Sequence, residues 1–374
     1  MIYVVYFQKD EVLLNRIGEQ ELQHYARLRD FVPLLRKKGQ VVEVEGPGEQ
    51  VEGVYRFAHY LGEKVVCLAF SGPDLAYQQL QCPKALFPDS IPPPVWDHYH
   101  PLGNDKSDTP TVTTRGGLID SHMDKLQPKS VAHLMPWRRS LQASWSALKK
   151  KDFRLALYYL MRRKSVHYYP TDLSLSGVVY TALLSATCAT TVWKRLFEGF
   201  CAVFQDQPKT TLVIKLVGAV NEAMNKAAIR WLKTQTFQCR IILINEHLPQ
   251  QQYENLIRNT TFFVQAGTTE KLGKAVLEFM SAGKPVIASK GNNHLPLDQD
   301  NAFLITAEED DFKAALHQSY RLFQDEPLGY RAMADSASQR MSKYSSLAVV
   351  EPMLNAWLDQ LEEEHSSADQ IPTD

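Results

Sequence analysis

Two glutamates in the last third of the chain, Glu270 and Glu278, are spaced so that they can act on one ligand. Glu270 falls in a small-residue turn and Glu278 on a predicted helix, so their backbones lie at most ~12 Å apart along the axis. Between them, Gly273 lies near the helix N-terminus, where free backbone N–H groups and the helix dipole favour a phosphate. With this spacing, one carboxylate can bind the hydroxyls of a sugar and the other can bind a ribose diol, with a diphosphate between them.

The surrounding residues predict the elements that position these carboxylates. Residues Thr261–Gln265 form a β-branched and aromatic run typical of a buried strand. Apolar residues recur at helical spacing from Leu272 to Ala282, and Gly283 is expected to end that helix. Pro285–Ala288 is a second buried strand. The segment is therefore predicted to be a strand–turn–helix–strand unit of an α/β domain.

The same segment resembles the retaining GT-B glycosyltransferases that carry an E-x7-E motif. Their text runs close to E-G-F-G-x-x-x-x-E-A-M-A-x-G-x-P-V-I-A, and this chain has Glu270–Gly273 and Glu278–Ala288, with both glycines and the proline in register. Asp300–Ile305 is similar to the family's later D-G-x-N-G-x-L-V. The alternative is an ordinary amphipathic helix with surface glutamates.

The resemblance implies an α/β protein of GT-B type, with two Rossmann-like domains whose parallel sheets face each other across a cleft. It implies a metal-independent transferase without a cofactor, which moves a sugar with retention from a nucleotide diphosphate sugar to a surface-glycan or lipid-linked acceptor. Glu270 would lie by the donor sugar and diphosphate, Glu278 would hold the ribose, and amides near Gly273 would bind phosphate.

Within the second half the resemblance narrows to bacterial surface-polysaccharide transferases. The sequence motifs of these transferases are matched here by Tyr180–Ala182, Phe200, Phe204, Asp206 and Thr211–Lys215. The family's Arg and Lys after the first strand of this domain normally bind the donor diphosphate.

This chain departs from the family at that position, where it has Thr190 and Thr191. Losing two cations would remove charge-assisted hydrogen bonds of about 1.5–3 kcal/mol each. The other basic residues expected to compensate are Lys194, Arg195, Lys215 and Lys271. Lys215 has a second interpretation, a lysine at a strand end that reaches solvent.

Length and composition set wider limits. A chain of 374 residues favours two domains, and a net charge of −1 argues against a nucleic-acid partner. The five cysteines are scattered without a C-x-x-C pair, which favours a reducing compartment and argues against a thiolate zinc site. The chain begins with a strand-like run and contains no stretch of 18 apolar residues, so we expect a cytoplasmic protein.

The first half follows a Rossmann-like order of strand, loop, helix and strand. Strands are predicted at Met1–Phe7, Val41–Val44, Lys64–Phe70 and Val131–Met135, with a helix at Glu21–Lys38. The proline density of Cys82–Leu102 predicts an irregular loop, interpreted as a packed surface loop or as a lid or acceptor surface. His122 is a candidate to face the donor, by its position late in this domain; a structural or surface histidine is the alternative.

Residues 138–164 are strongly basic, with nine Lys and Arg side chains against the single acid Asp152. Aromatic residues are interspersed with these charges, as in segments that lie on an anionic membrane surface. The favoured interpretation is a solvated linker, and a surface for an acidic acceptor is a further alternative; no nucleic-acid motif accompanies the charge. The predicted location is therefore cytoplasmic, with peripheral contact at the inner face of the membrane as an option.

The predicted domains are an acceptor domain, a basic helical linker, a nucleotide-sugar domain, a crossing helix and a disordered tail. Their ranges are 1–137, 138–177, 178–345, 346–361 and 362–374. Two other functions stay open. A non-catalytic GT-B module, serving as a partner or glycan-binding subunit, is favoured by Thr190 and Thr191. A sugar-nucleotide epimerase of the same fold is opposed by the basic segment.

Overall fold

The structure is a computed structural model in which the chain divides into two compact units. The first unit is Met1–Lys106 with Thr261–Asp374, and the second is Ser107–Thr260. The structure describes residues 2–7, 30–45, 65–70, 84–87, 91–104, 111–114, 118–121, 171–185, 190–217, 227–228, 230–232, 234–245, 248–265, 273–290, 295–306 and 308–368.

The labelled strands and helices number twenty in the described residues. The strands are β1 (Ile2–Phe7), β2 (Gln40–Glu45), β3 (Val65–Phe70), β4 (Lys84–Phe87), β5 (Val112–Thr114), β6 (Leu118–Asp120), β7 (Thr171–Leu173), β8 (Val178–Ser185), β9 (Thr210–Val217), β10 (Arg240–Ile244), β11 (Phe262–Val264), β12 (Val286–Ser289) and β13 (Ala302–Ile305). The helices are α1 (Trp96–Asn104), α2 (Thr190–Phe204), α3 (Gln250–Asn259), α4 (Gly273–Ser281), α5 (Glu309–Asp325), α6 (Pro327–Ser345) and α7 (Leu347–Ala368). Residues 30–38 form a further helical stretch.

The first unit contains two sets of parallel strands. One is a four-stranded sheet in the order β2-β1-β3-β4, in which Tyr3 pairs with Val41 and with Val66. The other is β11-β12-β13, with Val286 paired to Phe263 and to Ala302. Strands β11 and β12 are short, buried apolar runs, as expected for strands covered on both faces.

Helix α7 closes the core of the first unit. Its buried residues Val350, Leu354 and Leu358 recur every four positions and therefore lie on one face, against the helical stretch 30–38 and strands β1 and β3. The hydroxyl of Tyr3 donates to Glu362 at 3.1 Å. Burial and the neighbouring Glu362 carboxylate raise the pKa of Tyr3 to about 12. The helix runs past Leu361, where the sequence predicted a disordered tail, and ends at Ala368.

In the second unit β8, β9 and β10 are parallel, and β6 joins β10 antiparallel. Strands β5 and β7 form a separate antiparallel pair. Aromatic rings pack between β8 and α2: the Tyr180 ring lies 5.6 Å from Phe200, edge to face, and 5.4 Å from Phe204, centroid to centroid. The predicted α/β class with parallel strands and flanking helices is confirmed, and each strand predicted from Val178 to Ala288 is present.

The prediction of an irregular loop at Cys82–Leu102 is wrong. Lys84–Phe87 is a parallel strand on β3, and α1 begins at Trp96 with Pro101 inside it. Most of the prolines lie outside these elements, since Pro83 precedes β4, Pro88 follows it, and 92–94 precede α1. Proline density therefore indicated the boundaries of the elements and was misread as their absence. The predicted strand Val131–Met135 and the basic segment 138–164 lie outside the described residues.

Candidate functional site

The strand–turn–helix–strand unit is present in the first unit as β11, α4 and β12. Gly283 follows the end of α4, as predicted, and adopts φ +68°. The N–H of Lys284 donates to the Phe279 carbonyl at 3.0 Å. The N–H of Gly283 donates to the Met280 carbonyl at 2.9 Å, completing the helix-ending motif that favours glycine. The ring of Phe279 stacks on Phe263 of β11 at 4.4 Å. Helix α4 is thereby fixed at its C-terminal end and against the strand before it.

Glu278 lies on α4 and is only 6% exposed. Its Oε1 accepts a hydrogen bond from the hydroxyl of Tyr99 at 3.3 Å, and the Nζ of Lys274 lies 3.8 Å away. Lys274 Nζ is closer to Asp30, at 2.6 Å from Oδ2. Since a buried carboxylate needs compensating donors, the tyrosine and the lysine explain how Glu278 is tolerated inside the unit.

Helix α1 brings Tyr99 to this position, and three of its side chains fix it in place. The indole N–H of Trp96 donates to the Ser338 carbonyl at 3.0 Å, and His100 Nδ1 lies 2.9 Å from Ser338 Oγ. Asp97 accepts the N–H of Leu347 at 2.5 Å, which satisfies a donor at the start of α7. Sequence reasoning missed Tyr99 because it treated this region as a loop.

Gly273 is buried and is the first residue of α4. The first-turn amides of a helix lack intrahelical partners, so this end is chemically suited to an anion, as predicted. The first turn carries no acidic side chain and contains Lys274. Glu270 and Lys271 lie outside the described residues.

The other predicted site residues belong to the second unit. Lys215 is 8% exposed in β9, where its Nζ donates to the Leu216 carbonyl. Lys194 is exposed on α2, a helix that begins with Thr190 and Thr191. His122 lies outside the described residues; Ser121 before it exchanges hydrogen bonds of 2.8 and 2.9 Å with the backbone of Ile241.

Asn245 is a polar residue that sequence reasoning passed over. It directly follows β10 and is 5% exposed, and its Nδ2 finds no hydrogen-bond partner within the part of the chain that the structure describes. Strands β8, β9 and β10 are parallel, so Asn245 lies at the carboxyl edge where such sheets bind ligands. The only sequence signal was a polar residue at the end of an apolar strand.

Residues 193–322 match the family model described as glycosyl transferases group 1. The matched family consists of glycosyltransferases. The match spans about a third of the chain and includes α4 with Gly273 and Glu278, and it confirms the predicted class of transferase. A search of curated proteins finds no match.

Several solved structures are similar to the chain. The C-terminal domain of LpcC, a glycosyl transferase group 1 family protein from Francisella tularensis, is 15% identical over 46% of this chain and 89% of that one, with a TM-score of 0.38. Sucrose-phosphate synthase from Thermosynechococcus elongatus is 13% identical over 51% and 47%, with a TM-score of 0.41. HepE from Anabaena, solved with UDP and glucose, is 10% identical over 96% and 99%, with a TM-score of 0.47. The chain thus spans about half of the synthase, and at these scores the functional assignment depends on the family match.

Among the residues that the structure describes, none of the helices is long and apolar enough to cross a bilayer. Within the same residues, no three His, Cys, Asp or Glu side chains are grouped as metal ligands.

Proposed function

We propose that the protein is a retaining glycosyltransferase, which moves a sugar from a nucleotide diphosphate sugar to a surface-glycan or lipid-linked acceptor. The observation that carries this proposal is the family match over 193–322, because it includes the helix on which the second glutamate of the motif lies. Retention is assigned from the resemblance of the E-x7-E text, in which attack on the same face of the sugar requires no protein nucleophile.

Breaking the bond to the donor sugar places negative charge on the leaving diphosphate, so stabilising that charge is the main catalytic requirement. The amides at the start of α4, near Gly273, are suited to this task because they combine open donors with the positive end of the helix dipole. Glu270 is assigned to the donor sugar and diphosphate by resemblance, and Lys271 to the diphosphate as a cation that compensates for the missing Arg and Lys. We also propose the roles predicted above for Lys194 and Lys215, as cations that compensate for the missing pair, and for His122, as a residue that faces the donor.

Glu278 is assigned to the ribose of the donor. A carboxylate has about four lone-pair positions on its two oxygens, so the hydrogen bond from Tyr99 is compatible with others from a ribose diol. Hydrogen bonds to a charged group in a site of this low exposure contribute about 1.5–3 kcal/mol each. The geometry therefore supports a ribose contact that depends on the charge of Glu278.

The non-catalytic alternative is favoured by one observation. Helix α2 begins with Thr190 and Thr191, where the resembled family has the Arg and Lys that bind diphosphate. A module of this kind would keep the fold and bind a glycan or partner without turnover. Lys194, one turn further along α2, is the nearest exposed cation on that helix and the first residue to test for compensation.

Direct binding tests the donor site. Titration calorimetry with UDP-, GDP-, dTDP- and CMP-sugars should identify one donor that binds, and Glu278→Gln should weaken that donor about tenfold, the effect of ~1.4 kcal/mol. Glu309→Gln is a matched control, because Glu309 is exposed on α5 and pairs with Lys313. Unchanged affinity in Glu278→Gln would remove the ribose role, and absence of binding by every donor would favour the non-catalytic module.

The acceptor side is tested separately. Replacing Lys149, Lys150 and Lys151 with glutamine should reduce co-sedimentation with vesicles that contain an anionic phospholipid, because each basic residue near such a surface contributes about 1 kcal/mol. Co-sedimentation equal to the unmodified protein would remove the membrane contact from the proposal.

A further inference from the structure

The contact between Tyr99 and Glu278 joins two distant parts of the chain inside the first unit. Both side chains are buried, at 6% exposure each, and the phenol hydroxyl lies 3.3 Å from Oε1 of the carboxylate. A buried carboxylate interacts strongly with any donor that it retains, because water no longer competes. The hydrogen bond from Tyr99 can therefore determine how the Glu278 carboxylate is oriented.

Lys274 is a weaker candidate for that task. Its Nζ lies 3.8 Å from Glu278, beyond hydrogen-bond distance, but 2.6 Å from Asp30. The lysine thus contributes positive charge near Glu278 while its short contact is with Asp30. The Tyr99 hydroxyl, in contrast, lies within hydrogen-bond distance of the Glu278 carboxylate.

Tyr99 is itself held firmly. Its helix, α1, is attached on both sides of the tyrosine, through Trp96 and His100 to Ser338 and through Asp97 to the start of α7. The rings of Trp96 and His100 also stack at 4.5 Å. A hydroxyl anchored in this way fixes the carboxylate at low cost in side-chain entropy on ligand binding.

We propose that Tyr99 is a positioning residue for the ribose contact, which orients Glu278 so that its carboxylate accepts from the ribose hydroxyls of the donor nucleotide. This inference rests on the proposed function. It predicts that Tyr99 governs discrimination between ribose and deoxyribose, a property that a purely structural tyrosine would not change. Nothing in the family motif identifies Tyr99, since it lies far from α4 in the sequence.

The test measures the dissociation constants of UDP and 2′-deoxy-UDP, and of GDP and 2′-deoxy-GDP, for the full chain and its variants. The unmodified protein should prefer one ribonucleotide over its deoxy form by about tenfold or more, as expected for a hydrogen bond to a charged group. In Tyr99→Phe the affinity for the ribonucleotide should fall several-fold, while affinity for the deoxy form stays the same.

Tyr330→Phe is the matched control. It also removes one tyrosine hydroxyl from the first unit, where that group donates to the Thr261 carbonyl at 3.1 Å, away from Glu278. Its ratio of ribonucleotide to deoxynucleotide affinity should equal that of the unmodified protein. Thermal melts of both variants show whether they are folded at the temperature of the titration.

Two results would overturn the positioning role while leaving the proposed function intact. One is a Tyr99→Phe variant with unaltered discrimination, and the other is an equal loss of affinity for both sugar forms. If the unmodified protein binds none of the four nucleotides, the positioning role fails, whereas the proposed function is decided separately by the titration with all four donor sugars.

Discussion

Arg240 and Asp120 form a buried ion pair in the second unit, with 2.6 Å between Nη2 of the arginine and Oδ2 of the aspartate. Asp120 is almost fully buried, and Arg240 also donates to the Ser174 carbonyl at 2.7 Å. The pair joins β6 to the parallel strand β10. Because Arg240 is the first residue of β10, the pair stabilises the amino end of that strand and its pairing with β6.

Removing one partner of this pair should be costly. Asp120→Ala leaves the Arg240 guanidinium without its buried anion, and we expect a loss of about 3–5 kcal/mol in the free energy of unfolding. Urea unfolding followed by circular dichroism measures it. Asp335→Ala, a change on α6 in the first unit, is the control, with an expected effect within about 0.5 kcal/mol. A loss below 1 kcal/mol in Asp120→Ala would contradict a buried, structural pair.

Gly283 should tolerate little change. Its φ of +68° is in the left-handed region, and an added Cβ would lie 3.4 Å from the Ala334 carbonyl oxygen. Gly283→Ala should lower the free energy of unfolding by about 1–2 kcal/mol, and Gly283→Asn by less, because asparagine adopts this conformation more readily. Equal stability of the glycine and alanine proteins in urea would argue against this ending of α4.

Lys284 should make stability depend on pH. Burial lowers the pKa of Lys284 to about 8, below its ordinary value of 10.5. Between these two values the unfolded chain binds more protons than the folded one, so the free energy of unfolding rises as pH increases from about 8 to about 10.5. Below pH 8 both states are charged, and the unfavourable burial of the ammonium is fully present.

The variant Lys284→Met isolates this contribution from those of other groups that titrate in the same range. The difference in urea stability between it and the unmodified protein should favour the variant at pH 7 and shrink towards pH 10.5. A difference that is constant across this range would mean that the folded-state pKa of Lys284 is ordinary.

The buried side chain of Asn245 should lower the stability of the protein when no ligand is bound. Its buried Nδ2 has no partner among the described residues, and an unmade hydrogen bond of this kind costs about 1–3 kcal/mol. Asn245→Leu, which is similar in shape, should therefore raise the midpoint of thermal unfolding, and Asn301→Leu should lower it because Asn301 bonds to Asp298 and Pro296. A lower midpoint in Asn245→Leu would show that the amide is satisfied.

The parallel strands were predicted well from the sequence, because each strand depends on a short run of adjacent residues. The β-branched runs of β8 to β12 and the terminal glycine of α4 each depend on a few adjacent residues. The position of Glu278 on this helix was also predicted from the spacing of the apolar residues. By contrast, Tyr99 and Asp30 contact α4 only through the tertiary fold, so no sequence interval indicates them.

Competing local signals explain the two incorrect regions. The prolines around Lys84–Phe87 and Trp96–Asn104 argued against a strand and a helix that are both present, and Tyr99 and Leu102 of the helix are buried in the first unit. The polar residues Glu362 to Ala368 suggested disorder, although the helix continues through them and Tyr3 bonds to Glu362. In both cases tertiary contacts decided the structure against local propensity.

The most direct test of the central claim is nucleotide release from UDP-, GDP-, dTDP- and CMP-sugars, measured with a glycan or lipid-linked acceptor mixture present. We predict release from one donor that requires the acceptor and is lost in Glu270→Ala, while Glu309→Ala keeps full activity. Release that persists unchanged in Glu270→Ala, or its absence from every donor that the protein binds, would contradict a glycosyltransferase that uses the E-x7-E motif.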